Sequence, residues 1–180
     1  MFGENDDLTQ RLSRVAEKLY DRRAHLGAPL SEDQISTFED EHGIVLPDAY
    51  HEFLLMIGNG GDGPPYYGCA ELGCAAKDMS PDQQFLWTAL PDIDEPFPFT
   101  APWIWENGDD SNEGTREETS HGSVYIGNDG CGQYWHLIVT GPERGNVWQF
   151  CGVGIVPTIP RRDYLQWYED WLDGVENWWA

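Results

Sequence analysis

The sequence predicts an α+β fold in a single domain, with N-terminal helices, a central antiparallel meander sheet and a C-terminal aromatic-rich helix packed on it. Three features carry that expectation. Apolar residues recur at helical spacing up to about Ile57, the period changes to two after His121, and helical spacing returns after Asp163. A chain of 180 residues and 20.4 kDa fits one hydrophobic core. Nine Trp, eight Tyr and seven Phe supply enough area for that core without disulfides or a metal.

Leu8, Leu12, Val15 and Leu19, at offsets of four, three and four, predict an amphipathic helix over about 8–26, ended by Gly27 and Pro29. It belongs to an N-terminal extension, residues 1–28. Ser31 and Gln34 form a capping box for a second helix, with Ile35 and Phe38 facing inward and Gly43 just past its end. Leu46–Ile57 predicts a third, with Pro47 at the first helical position and Tyr50, Phe53, Leu54 and Ile57 as its apolar stripe. Gly58 through Gly63 terminate it. Residues 62–121 are rich in Pro and Gly and read as a long, variable, partly irregular section. Ser123–Gly127, Gln133–Thr140 and Asn146–Cys151 then read as three strands. Their turns are placed at Gly127–Gly130 and Gly141–Gly145. Asp163 caps the last helix, in which Tyr164, Trp167, Tyr168, Trp171 and Val175 share helical spacing.

Charge is the strongest compositional signal. The 32 acids and 10 Lys and Arg give a net charge of −22. Between Ala24 and Glu143 lie 22 acids but only two bases, Lys77 and Arg116, whereas Arg11, Arg14, Lys18, Arg22 and Arg23 crowd the first 23 positions. Such a chain repels phosphate backbones and anionic membranes, which excludes direct nucleic-acid and membrane binding. It steers a cationic protein toward itself. No leader or membrane-spanning apolar run is present, so a cytoplasmic protein with reduced thiols is expected.

The sequence resembles the SMI1/KNR4, or SUKH, superfamily in three ordered stretches. The first is Gly43-Ile44-Val45-Leu46-Pro47-Asp48-Ala49-Tyr50-His51-Glu52-Phe53-Leu54 followed by Asn59-Gly60-Gly61. The second runs from Ile126-Gly127-Asn128-Asp129-Gly130-Cys131-Gly132 through Leu137–Gly141 to Gly145-Asn146-Val147-Trp148. The third is the closing helix with Tyr164, Trp167 and Trp171. The resemblance implies a non-enzymatic binding protein. Many bacterial members look like immunity proteins that neutralise a toxin domain, and fungal members resemble signalling scaffolds.

Several residue patterns imitate chemistry and fail on context. Gly58-Asn59-Gly60-Gly61-Asp62-Gly63 spells a dinucleotide fingerprint, yet it follows a helix and precedes Pro64-Pro65, so no phosphate meets a helix N-terminus. Cys69, Cys74, Cys131 and Cys151 lack the two tight pairs of a structural zinc site. Cys131, His136 and Asp129 draw a nucleophilic triad on paper, without an oxyanion hole. Asp109-x-Ser111-x-Glu113-Gly114 lacks the bidentate acid at its twelfth position, which is Ser120. No catalytic residue, metal or cofactor is therefore assigned. The candidates left are surfaces: Trp103 and Trp105 beside the acidic run Glu106, Asp109, Asp110, Glu113, Glu117 and Glu118; Tyr66 and Tyr67; and the acidic helix Glu32–Glu41. Core tryptophans beside a solvated loop and a simple solvated face are the competing readings of the first and last.

The expected function is an immunity-type protein, read as a monomer, that occludes the active or substrate-binding surface of a basic toxin domain. A regulatory scaffold and an acidic mimic of DNA that inhibits a nucleic-acid-binding protein are the alternatives.

Overall fold

Helix α1 spans Gly3–Arg22 and buries Leu12, Val15 and Leu19 at 4, 0 and 5% exposure. The structure is a computed structural model that describes residues 3–64, 67–74, 92–104 and 118–175. The helix stops sooner than its glycine and proline suggest. Arg23 takes a left-handed conformation with φ 55°, and the Ala24 N–H reaches back to the Leu19 carbonyl at 3.0 Å. That closes the helix in the manner of a Schellman cap. Leu26 is thereby freed to bridge to Gly61.

Helix α2, Glu32–His42, carries the capping box in full: Gln34 N–H reaches Ser31 Oγ at 3.3 Å, and the Gln34 side chain accepts from Ser31 N–H at 2.9 Å. Gly43, at φ 65°, closes it. Helix α3 covers Asp48–Met56, with Pro47 one place outside as the N-cap rather than at the first helical position. Tyr50, Phe53 and Leu54 are buried, while Ile57 sits just past the helix end.

Strands β2 (Ser123–Gly130), β3 (Gln133–Ile138) and β4 (Val147–Cys151) form the expected antiparallel meander. Two short strands extend it: β5 (Gly154–Pro157) pairs with β4, and β1 (Trp103–Ile104) pairs with β5. The order is β1-β5-β4-β3-β2. The first turn lies later than expected. Gly130 pairs with Gln133, leaving Cys131 and Gly132 as a two-residue loop with φ values of 54° and 74°. Positive φ at both positions matches the right-handed twist of the flanking strands. Helix α4, Tyr164–Leu172, follows with Asp163 Oδ1 accepting the Gln166 N–H at 2.7 Å.

Alternation along the strands gives the sheet two buried faces. Val124, Ile126, Trp135, Leu137 and Val147 meet the helices, including Tyr164, Trp167 and Tyr168 of α4. Tyr125, Tyr134, Ile138, Trp148, Phe150 and Ile155 face the other way and pack on Phe97, with Phe99 and Trp103 beside them. The outer edge of β2 is covered. Ala70 N–H reaches the Ile126 carbonyl at 2.8 Å, Cys69 and Gly61 exchange two hydrogen bonds at 2.7 and 3.0 Å, and Gly61 bridges to Leu26. A side chain at Gly61 would lie 2.4 Å from the His25 carbonyl oxygen, so this glycine permits close backbone approach. Covering the edge removes a template for unwanted strand pairing.

Candidate functional site

Most of the described bases are engaged by the chain's own carboxylates and carbonyls. Arg11 meets Asp163 at 2.6 Å, Arg14 meets Glu169 at 3.1 Å, and Lys18 meets Glu169 at 2.8 Å and Asp173 at 2.6 Å. The helical spacing of Arg11, Arg14 and Lys18 aligns them along one stripe of α1 against the acidic side of α4. Burial alone would raise the Glu169 carboxyl, but hydrogen bonds from Arg14 and Lys18 outweigh it and hold the group below the usual carboxylate range. Elsewhere Arg161 pairs with Glu143 and Arg162 with Asp170, each at 2.7 Å. Arg144 donates to the carbonyls of Val45 and Leu46. Many acids, by contrast, face solvent. On α2, Glu32, Asp33, Asp40 and Glu41 are exposed, and Glu39 turns inward to accept the Leu46 N–H at 2.7 Å.

Of the candidate anchors, Trp103, Glu118 and Tyr67 are among the described residues, and Trp103 and Tyr67 lie at opposite edges of the sheet. Trp103 is half-buried, its ring stacked on Phe99 at 5.4 Å and 19°. Glu118 is exposed at the start of a 3₁₀ turn over Glu118–Ser120. Tyr67 is 69% exposed and lies beyond β2, its N–H directed at the Asn128 carbonyl. Five strand spacings of ~4.8 Å put Tyr67 roughly 24 Å from β1 and Trp103. Tyr66, Trp105, Glu106, Asp109, Asp110, Glu113 and Glu117 lie outside the described residues.

A cleft of about 650 Å³ opens next to Tyr67, and no local sequence pattern announces it. Tyr67, Arg22, Asp62 and Trp171 line it, with Ala24, Cys69 and the side-chain-free backbone of Gly61, Gly63 and Gly68 completing its wall. Arg22 lies over the Trp171 ring at 5.1 Å and donates to the Leu172 carbonyl. Asp62 Oδ2 accepts the His25 N–H at 2.8 Å, and the Asp62 carbonyl accepts the Tyr168 hydroxyl. The Tyr67 ring is seated against Gly130, where a Cβ would fall 2.6 Å from Tyr67 Cε2. Cys69 accepts from the Tyr164 hydroxyl at 3.8 Å, and burial pushes its thiol up to about 12, far from a reactive thiolate.

The paper triad is not assembled. His136 is fully buried on the second sheet face, 3.2 Å from Ser123 Oγ and stacked on Phe150 at 4.0 Å and 6°. Burial lowers its pKa to about 3. Asp129 instead accepts the Trp135 indole N–H at 2.7 Å, and Cys131 is exposed in its turn. Among the described residues no three His, Cys, Asp or Glu side chains are placed to hold a metal ion, and no helix is long and apolar enough to cross a membrane.

Comparison with curated proteins and with solved structures returns no match. The family model for SMI1 / KNR4 (SUKH-1) matches residues 29–174. That span opens just before the capping box of α2 and closes just after α4, taking in the two-faced sheet and the glycine-built edge ladder. It leaves α1 outside, although α1 supplies part of the core. On that span the chain belongs to the SMI1/KNR4 family.

Proposed function

We propose that this chain is a cytoplasmic, non-enzymatic immunity-type protein that binds a cognate basic toxin domain and occludes its active or substrate-binding surface. Membership of the SMI1/KNR4 family, known for immunity-like proteins that are generally non-catalytic, supports the class. The observation that carries the choice of partner is the segregation of charge. Arg11, Arg14, Lys18, Arg161 and Arg162 are each engaged with a carboxylate of the chain itself, so few described bases are left to offset the net −22 that acts outward. An outward negative field accelerates encounter with a cationic domain and disfavours nucleic acid.

The test is co-expression with the toxin domain encoded next to this chain. Rescue of growth, together with a 1:1 complex whose association rate falls steeply between 50 and 500 mM salt, is the expected result. Absence of both rescue and binding sinks the proposal. A complex insensitive to salt sinks the electrostatic part of it.

A further inference from the structure

We infer that the cleft between Tyr67 and Trp171 is a docking pocket for an aromatic side chain of the protein partner. The inference rests on the proposed binding function and deepens it by naming the anchor point.

The charges of the cleft select the occupant. Among its described lining residues only Arg22 and Asp62 carry charge, one of each sign. Either charge placed in the cleft meets one attraction and one repulsion, from Arg22 and Asp62, so the pair selects neither sign. A neutral group forgoes nothing there and avoids the cost of desolvating a charge. The walls favour a flat one. Gly63 and Gly68 present backbone without side chains, Tyr67 contributes an exposed ring, and the Arg22 guanidinium stacks at 5.1 Å on Trp171. A planar guanidinium packs well on aromatic rings, and an aromatic occupant makes edge or offset contacts with Tyr67 and Trp171.

The pocket is also prepared in advance. The Tyr67 ring rests on Gly130, Arg22 is fixed by the Leu172 carbonyl, and Asp62 is held by His25 and Tyr168. Little side-chain freedom is lost when the cleft is filled, and rigid aromatic pockets ringed by polar groups are where interface energy concentrates. The source of the aromatic group is a protein rather than a free metabolite because the net charge of −22 favours basic residues flanking the ring.

The test uses acetylated pentapeptides and amide NMR at 50 mM salt. A tryptophan flanked on each side by two lysines is expected to shift Gly61, Gly63, Gly68 and the Trp171 indole N–H. Replacing its tryptophan by alanine is expected to weaken binding about tenfold, and replacing its lysines by glutamates to weaken it further. Tyr67→Ala and Arg22→Gln, on exposed residues and with folding checked by the amide spectrum of each variant, should each weaken the lysine-flanked tryptophan peptide about fivefold or more. Equal binding of the alanine peptide overturns the inference, as do shifts that map away from the cleft or variants that bind like the wild type. N-acetyltryptophanamide binding as tightly as the lysine-flanked peptide overturns the protein source. No toxin enters this experiment, so it fails or succeeds independently of the co-expression test.

Discussion

Lowering the pH from 7.5 to 5 should destabilise this protein through a single buried imidazole. His136 is 0% exposed, and its pKa falls to about 3 because burial penalises the charged ring. In the unfolded chain the same ring titrates near its ordinary value of about 6.5. Between those values the unfolded state binds the extra proton, so stability is complete above about 6.5 and is lost as the pH falls toward about 3. Each unit below 6.5 costs about 1.4 kcal/mol, which accumulates to roughly 2 kcal/mol by pH 5. That is a large share of the ~5–15 kcal/mol typical of a domain. The assay is urea unfolding followed by tryptophan fluorescence at pH 7.5 and 5, for wild type and His136→Phe. The variant keeps a flat ring against Phe150 but loses the contact with Ser123, so its absolute stability will be lower. What decides the matter is the difference between the two pH values. Wild type should lose about 2 kcal/mol more than the variant over this window. Parallel losses within about 0.5 kcal/mol would refute the assignment of a neutral, water-excluded His136.

Other consequences follow from packing and exposure. Val15→Ala removes two methylene-sized groups from a fully buried site on α1 and should cost about 2 kcal/mol, a fall of roughly 4–8 °C in melting temperature, even though α1 lies outside the family match. A change under 0.5 kcal/mol would mean that α1 is peripheral. Glu169→Gln should loosen α1 from α4, read as faster amide exchange across Leu12–Leu19 with the strand amides unaffected; uniform acceleration would instead indicate global destabilisation. In the native protein a thiol reagent at pH 8 should modify the exposed Cys74 and Cys131 quickly and spare Cys69 until the chain unfolds.

Local signals in the sequence were sufficient where a few neighbouring residues determine the outcome. Ser31 with Gln34, Gly43 and Asp163 cap their helices as expected, because a cap needs only its own turn. The β2–β4 meander was legible from alternation, but its first turn moved from Gly127–Gly130 to Cys131-Gly132. Two-residue hairpin loops need positive φ at both positions, and Cys131 is an unusual residue there. Strands β1 and β5 were missed because they span two and four residues and take their definition from pairing, β5 on β4 and β1 on β5, rather than from any periodic run. The cleft was invisible for the same reason on a larger scale. Arg22, Asp62, Tyr67 and Trp171 are brought together by the end of α1, the edge ladder and the end of α4. No window of sequence contains more than two of them.

The role of α1 can be settled by weighing its two kinds of contact. Its ion pairs occupy the same acids of α4 that a basic partner would seek, which invites the idea of a helix displaced on binding. Its apolar side argues otherwise. Leu12, Val15 and Leu19 are 5% exposed or less, and at ~1.5–3 kcal/mol each their burial is worth roughly 5–9 kcal/mol. Releasing α1 would forfeit that burial and the ion pairs together, against the chain entropy that a freed helix regains. The helix is part of this member's core, and Glu169, its side chain 9% exposed, is closed to a partner. The field available for steering comes instead from exposed acids such as Glu32, Asp33, Asp40 and Glu41, while the proposed anchoring pocket is locally neutral. Separating the two predicts a kinetic split in any complex formed through this cleft. Added salt should slow association, and Tyr67→Ala should speed dissociation with association nearly unchanged. Stopped-flow measurement of both rates checks it. A Tyr67→Ala effect confined to the association rate would show that the ring serves encounter rather than retention.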